Sequence, residues 1–343
     1  MKPSLVFSLV LLSPFLLRGQ PGALQSVPSR SLNEALEVYS QLTGRTVLRS
    51  SFLANVAIAA QLPDDTNVAI RLIEDELRRQ GIEVIPDGAL FVRVVPRAWT
   101  NSEAARFLAT LKPPSPEGER FPGGAINWTA ADFVQVLAFY REFRSRTLLQ
   151  HMSLALAPIV LKTRQAMSKN EVSYAITVLL AINGVAAIDD GEKFVQLVPV
   201  PEWREVQPRA PIPGTNESLF DPKKIPKSPP GPPTATAKRL DQLYTRLFHN
   251  QPPWTPRPVD QLVEIYADLT DQKAAPSKIY GQNPIRFDIR TPLTKEELLY
   301  AIETTLKLNS LAIANVEANR ISAVSLGEKL RLEKQRVSGS KSP

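Results

Sequence analysis

One arrangement of residues recurs three times along the chain, in segments beginning near Leu32, Phe133 and Val259. The first holds Val38-Tyr39, Arg45-Thr46-Val47-Leu48, a stretch of helical periodicity, Gly81-Ile82, Asp87-Gly88 and Phe91-Val92. The second holds Phe139-Tyr140, Arg146-Thr147-Leu148-Leu149, Gly184-Val185, Asp190-Gly191 and Phe194-Val195. Its offset from the first is 101 residues early and 103 late, so one small gap aligns the two. The third follows the second at a constant offset of 126, placing Tyr266 on Tyr140, Tyr300-Ala301-Ile302 on Tyr174-Ala175-Ile176, and Asn309 on Asn183. Repeats of about 65–75 residues are small domains in series rather than solenoid turns. A chain built this way is expected to bind other molecules rather than catalyse.

Domains this small often need a covalent or metal staple. Here there is no cysteine, and His151 and His249 are the only histidines among 343 residues. Disulfides and thiolate metal sites are therefore excluded, and a histidine-rich site is disfavoured. Stability has to come from apolar packing within each repeat, with help from neighbouring repeats or subunits. No metal or other cofactor is expected.

Periodicity gives the local plan. In the first repeat Ser31 is placed to cap a helix carrying Leu32, Leu36, Tyr39 and Leu42, which Gly44 ends. Arg45–Arg49 and Val56–Leu62 read as strands, and Pro63-Asp64-Asp65-Thr66 opens a second helix with Ile70, Ile73 and Leu77 on one face, closed by Gly81. Ile82–Ile85 and Ala89–Val95 form a hairpin about Asp87-Gly88, a dipeptide suited to a tight turn. The second repeat is expected to add a strand at Gly124–Asn127, with helices at Ala130–Phe143 and Lys169–Ile182 and a hairpin turning at Asp190-Gly191. Helices near Val259–Thr270 and Lys295–Leu308 belong to the third, whose turn at Glu317-Ala318-Asn319 uses Asn319 in the left-handed conformation. The expected fold class is α+β, each unit placing two helices on one face of a small mixed sheet.

The domain plan is then residues 27–98, 124–200 and 255–327 for the three repeats, with linkers at 99–123 and 201–254. The segment from Pro199 to Pro258 holds 15 of the 31 prolines, which favours extended spacing over packing, although Thr234–His249 could form an amphipathic helix. Residues 328–343 read as a basic, partly disordered tail. At the other end Lys2 precedes a 13-residue apolar run from Leu5 to Leu17. That is too short to span a bilayer and fits the core of a signal peptide over residues 1–22, the alternative being an uncleaved anchor. No later run reaches 18 apolar residues, so no transmembrane segment is expected in the mature chain.

No catalytic constellation emerges, so no catalytic, cofactor-binding or metal-ligating residue is assigned. Neither His151 nor His249 has a motif-bound serine nearby. Glu74, Asp75 and Glu76 are consecutive on a helix, point in different directions, and read as a solvated face. Asp64-Asp65 and Asp189-Asp190 read as cap and turn residues. Gly123-Gly124 lacks the following Lys-Ser/Thr of a phosphate loop. Tyr39, Tyr140 and Tyr266 lie on apolar helix faces and read as core residues with the hydroxyl at the rim. Trp99, Trp128, Trp203 and Trp254 fall near repeat boundaries, where they either seal one unit on the next or mark a partner surface.

The run Leu36-Glu-Val-Tyr-Ser-Gln-Leu-Thr-Gly-Arg-Thr-Val-Leu48, followed by a helix and by Gly81–Pro96, resembles the short N-terminal domains of bacterial secretins. The resemblance covers three segments and is weaker in the third, where Asp271 stands in place of Gly44 and the Asp-Gly turn is lost. It implies a KH-like fold for each unit and a periplasmic or outer-membrane-associated, exported protein. The implied partners are envelope proteins such as a secretin or a pseudopilus component, with self-association also compatible. It carries no catalytic residue, and no small-molecule substrate is expected. Secretins continue into a β-rich barrel where this sequence has its basic tail, so a free-standing string of ring-type modules is expected rather than a channel. The rival, nucleic-acid binding, is suggested by a KH-like fold and a pI near 9.5, but KH recognition needs a Gly-x-x-Gly loop that no repeat contains. An exported adaptor unrelated to secretion is the other alternative.

Overall fold

The computed structural model describes residues 29–59, 62–206, 258–277, 284–289 and 291–339. The fold is α+β, with helices set against several small sheets. The stretch expected to be a signal peptide (residues 1–22), the Thr234–His249 stretch, His249 and Trp254 lie outside the described residues.

In the first unit β1 (Ser29–Ser31) leads into α1 (Leu32–Thr43), then β2 (Thr46–Arg49), β3 (Ala57–Ala59), α2 (Thr66–Arg79), β4 (Ile82–Asp87) and β5 (Phe91–Pro96). Ser31 and Glu34 form a capping box at the start of α1, and Gly44 ends it at φ 66°. The sheet order is β2-β5-β4, with β2 parallel and β4 antiparallel to β5. The expected strand at Val56–Leu62 shortens to β3 and pairs with β1 instead of joining that sheet. A core of Leu32, Leu36, Tyr39, Ile73, Leu77, Val92 and Val94 lies between the helices and the inner sheet face.

A short 3-10 turn (Arg97–Asn101) and α3 (Glu103–Leu108) lead through β6 (Arg120–Phe121) to the second unit. Its elements are β7 (Asn127–Ala131), α4 (Phe133–Arg144), β8 (Thr147–Gln150), β9 (Ile159–Lys162), β10 (Met167–Ser168), α5 (Lys169–Ile182), β11 (Val185–Asp190) and β12 (Phe194–Pro199). The initial strand therefore begins at Asn127 rather than Gly124, and α4 begins after Asp132, whose side chain caps it. In the third unit α6 (Val259–Thr270), β13 (Lys273–Ala274), β14 (Phe287–Asp288), α7 (Lys295–Leu308), β15 (Leu311–Glu317) and β16 (Arg320–Ser325) follow. The parallel-then-antiparallel register recurs: Thr46 faces Phe91, Thr147 faces Phe194, and Lys273 faces Arg320.

Several local devices recur at matching places. The hydroxyls of Tyr39, Tyr140 and Tyr266 each reach the second helix of their own unit, bonding Glu74, Thr177 and Glu303 at 2.7, 2.9 and 2.6 Å. The amides of Arg97, Val200 and Leu326 donate to the carbonyls of Gly81, Gly184 and Ser310. Ser310 takes the left-handed φ of 60° that glycine supplies in the other two units, and Asn319 turns the last hairpin at φ 57°.

The basic end departs from expectation. Instead of a disordered tail from residue 328, a helix α8 (Leu326–Gly339) follows directly on β16. Leucine, glutamate, lysine and arginine are good helix formers, Glu328 pairs with Arg331 one turn on, and α8 packs against β15 and β16.

Candidate interaction interface

The units share cores. Leu48, Phe91 and Val95, on the outer sheet face of the first unit, belong to one buried cluster with Val172, Val178, Leu179 and Ile182 of α5. Leu149 and Phe194, on the outer sheet face of the second, belong to another with Leu298, Ile302 and Leu306 of α7. The sheets of the first two units thus carry their own helices on one side and the second helix of the next unit on the other. Helix α5 is apolar on nearly all sides (Val172, Ala175, Ile176, Val178–Ile182), the pattern of a helix enclosed by protein.

The polar contacts at the two joints correspond residue by residue. At the first, the Tyr174 hydroxyl donates to Asp87 at 3.0 Å, and its ring tilts against Phe91 with centroids 5.8 Å apart. At the second, the Tyr300 hydroxyl donates to Asp190, and its ring meets Phe194 edge-on at 5.6 Å. Burial and the neighbouring Asp87 carboxylate both push the Tyr174 phenol well above its ordinary pKa, keeping it a donor. Nine residues further on, the buried Asn183 accepts from the Ser51 amide at 2.7 Å, and the buried Asn309 accepts from the Met152 amide at 2.6 Å. Each asparagine also donates back to its own helix, to Leu179 and Thr305 at 2.7 Å. A buried amide so satisfied fixes both the helix end and the docking register.

Flanking contacts differ more. Glu37 of α1 pairs with Lys162 at 2.8 Å and with Arg164, whose Nε also donates to Ser40 at 2.9 Å. Burial alone would raise the Glu37 pKa, but the bonds from Lys162 and Arg164 outweigh it and hold the carboxyl below its ordinary value. Lys193 pairs with Glu297 at 2.7 Å across the second joint. There β14 adds itself to the second unit's sheet, giving the order β11-β12-β8-β14, with Phe287 opposite Leu149. This is strand addition at an edge, carried out within one chain.

The residues singled out in the sequence fall variously. Asp190 is no mere turn residue: it is buried and receives Gln196 and Tyr300. Glu76 is buried beside Arg79 rather than solvated, and Glu74 holds Tyr39; only Asp75 of that trio is exposed. Of the pair Asp64-Asp65, read as turn and cap residues, Asp65 caps α2. His151 bonds its neighbour Ser153. Trp203 packs on Phe107 and donates to Glu103, and Trp99 packs on the shared core, while Trp128 meets Phe139 edge-on. Tyr174, Asn183, Tyr300 and Asn309 are visible in the sequence as repeat markers; their place between units is not.

Two cavities adjoin this interface. One of about 320 Å³ at the first joint is lined by Asn33, Glu37, Arg49, Trp128 and Lys162. Another of about 540 Å³ lies between the α3 linker and the second unit, beside Tyr140, Arg144 and Asp189. Among the described residues no group of three histidine, cysteine or acidic side chains could hold a metal, and no helix is long and apolar enough to cross a membrane. Comparison with known protein families and with curated protein sequences gave no match.

Proposed function

We propose that this chain is an exported, non-enzymatic assembly protein whose repeated α+β modules dock onto other proteins of the bacterial envelope. A secretin or pseudopilus component is the kind of partner intended. The observation that carries the reading is the doubled joint: twice, the second helix of one unit seats on the outer sheet face of another through a tyrosine–acid contact and a buried asparagine. Surfaces that recur in this way suit stacking of protein modules, and the resemblance to secretin N-terminal domains points the same way. Fold alone does not fix the partner, so the test has to be direct. Light scattering on the purified chain mixed with purified secretin N-terminal segments should give a stoichiometric complex. Binding to single-stranded RNA in its place, or recovery of the chain solely from the cytoplasm, would overturn the proposal.

A further inference from the structure

The second unit departs from the other two beside its recurring tyrosine. In the first and third units the Tyr39 and Tyr266 hydroxyls donate to carboxylates, Glu74 and Glu303. Four residues beyond each tyrosine stands a threonine, Thr43 or Thr270, whose hydroxyl bonds back to the tyrosine carbonyl. In the second unit Thr177 takes the place of the carboxylate and bonds the Tyr140 hydroxyl, and Arg144 takes the place of the threonine. A corner that is acidic in two units is thus neutral in this one, with a cation beside it. Two units build the corner without the exchange, so the shared fold does not require it.

The exchanged residues line the cavity of about 540 Å³ between the α3 linker and the second unit. Small-molecule sites occupy roughly 300–1,000 Å³, apolar for the most part with a few convergent polar groups. Here Phe107 and Leu111 of the linker and Ile188 of β11 supply apolar wall. Arg144 donates to Asp189, which also pairs with Arg146 at 3.0 Å, so two guanidiniums offset one exposed carboxylate. The Arg144 Nε is buried without a hydrogen-bond partner among the described residues, which leaves a charged donor unsatisfied at the cavity wall. Lys112 lies on the same wall, and among the described residues no ion pair holds it. The balance of charge around the cavity is therefore positive.

We propose that this cavity binds a small organic anion: an apolar ring system bearing one carboxylate or phosphate, the rings against Phe107, Leu111 and Ile188 and the charge on Arg144 and Lys112. Thr177 makes this possible, because the glutamate of the other units would set a second negative charge beside the ligand's own. Tyr174 also lines the cavity and holds Asp87 across the first joint, so the ligand sits beside a docking contact. Binding here needs no envelope partner, and its failure would leave the proposed function standing.

Isothermal titration calorimetry on the purified full chain, with naphthyl phosphate, naphthoate and the neutral naphthylmethanol, tests this. At least one anion should bind at a single site per chain with a Kd below about 1 mM, and the alcohol should bind about tenfold more weakly or not at all. The tighter anion identifies the head group, and inorganic phosphate alone should bind more weakly than naphthyl phosphate. Lys112→Gln, a change at an exposed residue, should weaken binding about fivefold, and Arg144→Gln about tenfold or more. Thr177→Glu restores the carboxylate of the other two units and should abolish binding. Circular dichroism melts show which variants keep their fold. Binding by neither anion, an alcohol or inorganic phosphate that binds as tightly as the aromatic anions, or affinity unchanged by Lys112→Gln or by a folded Thr177→Glu would overturn the proposal.

Discussion

Helices α2 and α5 hold the same station in their units, each running 14 residues between a capped start and a hairpin, yet they meet different surroundings. Where α5 presents Tyr174, Val178 and Ala181, α2 presents Arg71, Asp75 and Arg78. The α5 residues are enclosed against the first unit's sheet, and those of α2 face solvent. One scaffold position is therefore a joint or an end according to three or four outward side chains, while the inward face (Ile73 and Leu77 against Ile176 and Leu180) stays apolar in both. Docking is set by the outer stripe, folding by the inner.

Exchanging those outer residues gives the largest expected effect. Val178→Asp writes the α2 residue into α5 and buries an unpaired charge, which should cost about 4 kcal/mol or more in urea unfolding. The reverse change in α2, Asp75→Val, should alter stability by no more than about 0.5 kcal/mol. Cavity formation comes next. Leu149→Ala removes a fully buried side chain shared by the second and third units and should cost about 2–5 kcal/mol, whereas Val68→Ala on exposed α2 should be nearly neutral.

Polar truncations rank lower. Asn309→Ala strands the Met152 amide and the Gln150 carbonyl and should cost about 1–3 kcal/mol, with faster amide exchange at Met152. Gln80→Ala, its counterpart at the exposed end, should leave folding unchanged. Acidification gives the smallest effect. The Glu37 pKa is lowered on folding, so its contribution is complete above the unfolded value and is lost as pH falls through the folded one, below the ordinary carboxylate range. Glu37→Gln should flatten that part of the stability–pH curve, losing the small contribution at neutral pH and converging with the unaltered chain in acid.

Much of this fold was legible beforehand for a definite reason. The helix spans Val259–Thr270 and Lys295–Leu308 and the cap at Ser31 follow from periodicity and capping chemistry, which are local. The α+β class followed from the order of those elements. What stayed hidden depends on contacts distant in the chain. Asp190 looks like any turn aspartate until Tyr300, 110 residues away, closes on it. Residues 328–339 look like a charged tail until β15 and β16 provide a surface for α8. The joint residues left one trace, the alignment of Tyr174 with Tyr300 and of Asn183 with Asn309, which marked a repeat without saying what it touches.

Because the chain has no cysteine, the equivalence of the two joints can be read by disulfide trapping in the intact protein. Ser51→Cys with Asn183→Cys in one variant, and Met152→Cys with Asn309→Cys in another, should each oxidise to an intramolecular bridge seen by mass spectrometry without reduction, since both pairs are in direct hydrogen-bond contact. Closure of both pairs within single chains is the predicted result; free thiols, or bridges formed only between chains, in either variant would contradict it.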